Sequence, residues 1–221
     1  MRIHFILVGE GPSDEGLIPH LANLCVEAGA DEATGAAPDY RRLPEVRGRT
    51  VEARIEAAIL LEPQANLLFI HRDADRPDAE PRHREIAAAG AGCALKTEWV
   101  AVVPVQETEA WLLLDEAAIR AVAGRPNGRK DLNLPHPHAV ESVARPKERL
   151  QQALVEAAEM SGRRLDRFRA RFSSHRNLLL LRLPVTGPLS QVPAWVRLRA
   201  SIQEAVARLR AMEDGHDGDH T

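Results

Sequence analysis

The chain has 221 residues, a formal net charge of −3 at pH 7, and 44% hydrophobic and 28% charged residues. These are ordinary proportions for one large globular domain or a domain with an appendage. No apolar run approaches the roughly 20 residues that a membrane-spanning helix needs, and the net charge excludes a chain that is basic throughout. Aromatics make up only 4%, so the core must be built mostly from Leu, Ile, Val and Ala.

Residues 3–8 form a continuous apolar run of strand length, the pattern of a parallel strand buried on both faces. Gly9 and Glu10 interrupt it too early for a signal-peptide core, which points to a cytoplasmic protein. Ser13 is placed to cap a helix whose first turn holds Asp14 and Glu15. Leu17, Ile18, Leu21, Leu24, Cys25 and Ala28 would form its apolar face, up to Gly29. Residues 31–50 carry little pattern and predict loops with one short strand. A helix over 51–61, a strand over 67–70, a short helix ending near Gly90, a strand over 98–105 and a helical start over 110–114 follow. This alternation predicts an α/β fold with a mostly parallel sheet flanked by helices.

Beyond residue 115 the strand signal disappears. A Pro/Gly/Asn-rich loop over 124–137 precedes an amphipathic stretch over 146–160, an apolar helical run over 178–183, and a three-four spacing from Val192 to Leu209. The expected organisation is an α/β core over 1–120, a helical extension over 121–212 and a disordered tail over 213–221. Cys25 and Cys93 are expected to be inert thiols, and no Cys–His spacing suits zinc.

Acids follow the predicted strands directly. Glu10 stands between Gly9 and Gly11. Asp73 and Asp75 lie in His71-Arg72-Asp73-Ala74-Asp75, and Glu107 and Glu109 follow the last strand. Open α/β sheets bind ligands outside the carboxyl ends of their strands. Acids converging there repel one another unless a cation lies between them, and an oxygen-only set suits Mg²⁺ or Mn²⁺. In an extended segment Asp73 and Asp75 face the same side, roughly 7 Å apart at Cα, and can grip one ion; a loop or capping role is the alternative. Glu10 is a general base, a metal ligand or an exposed turn acid. Glu107 and Glu109 both face the site if their segment is extended, but only one does if it is helical; Glu109 then also suits the helix dipole. His71 is a proton shuttle or a buried strand histidine.

Residues 141–182 hold ten Lys or Arg against five acids, a local balance of +5. Arg145, Lys147, Arg163, Arg164 and Arg167 are the candidates for holding nucleic acid there; a solvated helical face is the alternative.

The opening Gly9-Glu10-Gly11-Pro12-Ser13-Asp14-Glu15 resembles the Glu-Gly-x-[Ser/Thr]-[Asp/Glu] start of Toprim-like domains. His71-Arg72-Asp73-Ala74-Asp75 looks like their Asp-x-Asp strand end. Val103-Pro104-Val105-Gln106-Glu107-Thr108-Glu109-Ala110-Trp111-Leu112-Leu113, with Arg145-Pro146-Lys147 and Val192-Pro193-Ala194-Trp195, is similar to an uncharacterised bacterial Toprim-like family often found in defence-type gene neighbourhoods. The resemblance covers most of residues 1–210. It implies a Mg²⁺-dependent phosphodiester hydrolase, a nuclease, with Glu10 as acid/base or ligand, Asp73 and Asp75 as ligands, and Glu107 and Glu109 completing the site. No Walker-type loop is present, so any ATPase would be a separate partner chain. A non-catalytic subunit working with such an ATPase, or with a toxin, is the alternative.

Overall fold

A computed structural model describes residues 1–43, 50–93 and 97–217. The fold is α/β. Four parallel strands, β1 (Arg2–Val8), β2 (Glu32–Ala36), β3 (Leu67–His71) and β4 (Glu98–Val102), form one sheet in the order β2-β1-β3-β4. The helices are α1 (Ile18–Glu27), α2 (Val51–Leu61), α3 (Glu80–Gly92), α4 (Glu109–Leu112), α5 (Glu116–Val122), α6 (Pro146–Ala158), α7 (Gly162–Arg169), α8 (Phe172–Leu181) and α9 (Pro193–Asp217). Among the described residues no helix is long and apolar enough to cross a membrane.

The chain divides into two compact units. The first comprises Met1–Arg72, Glu80–Val103 and the chain from Arg197 onward; the second comprises Asp73–Ala79 and Pro104–Val196. The segments leaving β3 and β4 pair with each other, Ala74 N–H donating to Pro104 O at 3.0 Å and Asp75 N–H to Gln106 O at 2.8 Å, and both belong to the second unit.

In the first unit, β1 lies between β2 and β3, so its residues Phe5 to Val8 are all buried. A continuous apolar run is what a strand covered on both faces requires. Phe5 stands opposite Gly35 on β2, and its ring occupies the place where a Gly35 side chain would lie, 2.1 Å from an ideal Cβ. In the second unit, Trp111 and Trp195 meet edge to face with centroids 5.1 Å apart, and both are buried.

Three local expectations shift. Residues Pro12–Leu17 form a 3₁₀ turn, and α1 starts only at Ile18. Pro19 has no N–H to continue an α-helix through that point, and Ser13 lies within the turn, whose N-cap position is Gly11. β4 ends at Val102, before Pro104, which likewise has no donor for a ladder. The final helix runs through Asp217, so residues 213–217 are helical where a tail was expected, and 218–221 lie outside the described residues.

Gly35→Val should destabilise the protein by about 1–3 kcal/mol in urea unfolding, because the added side chain drives Phe5 from its rotamer. Loss of under about 0.5 kcal/mol would mean the ring relaxes freely.

Candidate functional site

In the first unit the sheet order reverses between β1 and β3, which pair with Val8 opposite Ile70. The residues just past these strands are Gly9 and Glu10 on one side and His71 and Arg72 on the other. Asp14 organises the turn after β1. It is buried, and its Oδ2 accepts hydrogen bonds from Glu10 N–H at 2.9 Å and Gly11 N–H at 3.3 Å. Ser13 Oγ donates to Asp14 Oδ1 at 3.2 Å, and His71 Nδ1 lies 3.3 Å from Asp14 Oδ2. A Cβ at Gly9 would sit 3.0 Å from Asp14 Oδ2, so any larger residue there would press on that carboxylate.

Burial of Asp14 pushes its pKa up, but His71 and the two backbone donors more than offset this and hold it at about 2. The carboxylate is therefore ionised at every physiological pH. Glu10 reaches outward, and its Oε1 pairs with Arg72 Nε at 2.8 Å. Arg72 also approaches Glu85 at 3.5 Å, and Arg54 donates to Gly9 O from α2. A cavity of about 530 Å³ opens beside the turn, lined by Glu10, Asp14, Asp39, Tyr40, Arg41 and Arg54 among others. It has the size and the mixed charge of a ligand site.

In the second unit, Asp73 Oδ1 accepts from both Thr108 N–H and Thr108 Oγ, each at 2.9 Å. Asp75 has φ of 57°, so the segment is not extended and the same-side geometry expected of Asp73 and Asp75 does not apply. Asp tolerates this left-handed region better than most residues. Thr108 is already helical, so Glu107 and Glu109 diverge. Glu107 Oε2 accepts from Lys147 N–H at 3.0 Å. Glu109 Oε1 accepts from Arg176 Nε at 2.8 Å, in an ion pair with both side chains buried.

Among the described residues no three His, Cys, Asp or Glu side chains gather as a metal-binding group. Glu109 is neutralised by Arg176, and one oxygen of Asp73 serves Thr108.

Of the basic candidates, Arg145 pairs with Glu148 at 3.0 Å, Lys147 is exposed at the start of α6, and Arg163, Arg164 and Arg167 are exposed on α7. Arg149 and Arg176 turn inward, onto Leu132 O and Asn133 O and onto Glu109 respectively. Sequence reasoning missed the Asp14–His71 pair, the Glu10–Arg72 pair and the Glu109–Arg176 pair. The first had a faint signal, since an acid four residues after Glu10 can reach back across a tight turn.

The chain matches no protein-family model, no curated protein and no solved structure.

Two stability measurements check this geometry. Asp14 has its folded pKa near 2, below the ordinary value of 3.8. It therefore contributes on the order of 2 kcal/mol that is fully present above about pH 4 and is lost as pH falls toward 2. Asp14→Asn should cost about that much at pH 7, and the gap to the parent should narrow from pH 4 downward. Glu109→Ala should cost about 3–5 kcal/mol by leaving Arg176 charged and buried, whereas the pair Glu109→Leu with Arg176→Met should recover most of it. A carboxylate crowded by other acids would behave oppositely, its removal raising stability.

Proposed function

We propose that the chain is a cytoplasmic, metal-dependent phosphodiester hydrolase acting on nucleic acid. The observation that carries this reading is topological. In a doubly wound sheet the ligand crevice lies outside the carboxyl ends of the strands where the order reverses, and here those strands are β1 and β3. Glu10 and Arg72 stand at those ends, and the chain supplies Asp73 as the residue after Arg72. The likeness of these motifs to Toprim-like domains adds the reaction class.

Roles are assigned residue by residue. Glu10 is the general acid/base or a ligand, and Asp73 and Asp75 are ligands. Glu107 is a candidate for a further contact, and Glu109 holds Arg176 rather than taking a chemical step. Asp73 and Asp75 suit Mg²⁺ or Mn²⁺ in its usual mode, with one or two carboxylates, waters and substrate phosphate rather than an all-protein cage. When bound it would acidify a water and neutralise developing charge. At rest Arg72 pairs with Glu10; an incoming phosphate competes for that guanidinium and frees the carboxylate to take a proton. Asp14 keeps the Glu10 backbone in place through both states. Arg145, Lys147, Arg163, Arg164 and Arg167 hold the polyanion.

A second reading follows from the lack of any gathered three-acid group among the described residues: a non-catalytic subunit that works with a separate ATPase or a toxin.

Cleavage of labelled single-stranded DNA, duplex DNA and RNA in Mg²⁺, Mn²⁺ and EDTA separates the two. Metal-dependent cleavage that falls at least about 100-fold in Glu10→Gln and in Asp73→Ala is expected. Full activity in both variants would overturn the assignment, and no cleavage of any substrate would favour the subunit.

A further inference from the structure

Helix α7 has no buried residue. Arg163, Arg164, Arg167, Arg169 and Arg171 are all exposed on it and on the turn that follows, and Asp166 is the one acid from residue 160 to 175. A helix so charged gains little from packing, and like charges this dense repel one another. Between these arginines lies an aromatic pair: the Phe168 and His175 rings stack with centroids 4.2 Å apart and planes at 28°. A cavity of about 240 Å³ adjoins the pair, lined by Met160, Arg164, Arg167, Phe168, Arg171 and His175. Its lining holds three guanidinium groups, two rings and no carboxylate. A second cavity, of about 350 Å³, also borders Phe168 and His175, with Glu148, Gln151, Gln152, Arg169 and Phe172 in its wall; Glu148 there is paired with Arg145. Burial and the Arg171 charge hold the His175 imidazole below its ordinary pKa.

We propose that α7 and the start of α8 form a binding site for single-stranded nucleic acid, with unpaired bases stacking at Phe168 and His175 and phosphates held by Arg164, Arg167 and Arg171. Charge complementarity selects a polyanion, and the rings select one with accessible base faces. Alternation of aromatic platforms and cations is the chemistry by which single strands are held without sequence readout. A duplex keeps its base faces stacked internally and offers only phosphates. Arg171, Phe168 and His175 thereby join the basic residues identified from sequence. The inference rests on the reading of nucleic acid as substrate but needs no turnover.

The test is equilibrium binding of fluorescein-labelled oligo-dT, the matching oligo-U and a duplex of equal length to the full chain, by anisotropy in EDTA, with polyglutamate as competitor. Single strands should bind more tightly than duplex, and polyglutamate should compete poorly. Phe168→Leu, which keeps apolar bulk, should weaken single-strand binding about 5- to 100-fold. The combined change Arg167→Gln and Arg171→Gln should flatten the slope of log affinity against log salt by about 1.4, at roughly 0.7 per phosphate lost. Circular dichroism and thermal melting report whether each variant is folded, and the exposed arginine variants keep the test valid should Phe168→Leu fail to fold. Equal affinity for duplex, or unchanged affinity in a folded Phe168→Leu, would overturn the stacking site; competition by polyglutamate at equal charge would reduce it to a general anion surface, which also overturns it. Because binding is read in EDTA, its loss with cleavage intact removes only this inference. Binding without cleavage removes only the hydrolase.

Discussion

Asp14 carries a full negative charge while almost wholly removed from water, which is costly unless donors surround it. Two backbone N–H groups and the Ser13 hydroxyl provide them, and His71 Nδ1 lies 3.3 Å away. The consequence reaches beyond one side chain. The donors belong to the turn leaving β1, and His71 is the last residue of β3. One buried charge thus fixes the exits of the two adjacent strands at which the sheet changes direction. Gly9 is what allows the carboxylate to come so close to the backbone. Glu10, whose own N–H is held by this charge, is left with its carboxylate in contact with Arg72 at the surface of the cavity.

The second unit uses its acids differently. Thr108 engages Asp73, Lys147 engages Glu107 through its backbone, and Arg176 neutralises Glu109. A buried ion pair such as Glu109–Arg176 is worth little against a well-packed apolar pair, but breaking one half of it is expensive. The Glu109–Arg176 pair ties α4 to α8. Asp73 and Asp75 retain the strand-exit position that a phosphate-handling chemistry would use, and with substrate phosphate present a hard cation needs few protein ligands.

The strands and helices legible in the sequence were those whose burial is continuous or periodic. β1, β3 and α2 follow from apolar runs and spacing, because a strand covered on both faces leaves no polar alternation to confuse. β2 was only a weak expectation, since Glu32-Ala33-Thr34-Gly35-Ala36 offers small residues, and its glycine makes sense only once Phe5 lies over it. The five acids were legible from their place after strands. Their partners were not: Thr108 lies 35 residues from Asp73, Lys147 lies 40 from Glu107 and Arg176 lies 67 from Glu109. Periodicity reports which face of an element is buried, not which distant cation a buried acid will find. The Phe168–His175 stack escaped notice for the related reason that a seven-residue spacing across a turn has no fixed geometry.

We propose that the acids following β3 handle phosphate with a hard cation that is recruited together with the substrate. Mn²⁺ uptake, followed by electron paramagnetic resonance with and without a non-hydrolysable phosphorothioate oligonucleotide, tests it most directly. Weak uptake by the protein alone and stoichiometric uptake once the oligonucleotide is present, lost in Asp73→Ala, is the expected outcome. No uptake in the presence of the oligonucleotide, or uptake indifferent to Asp73, would contradict it.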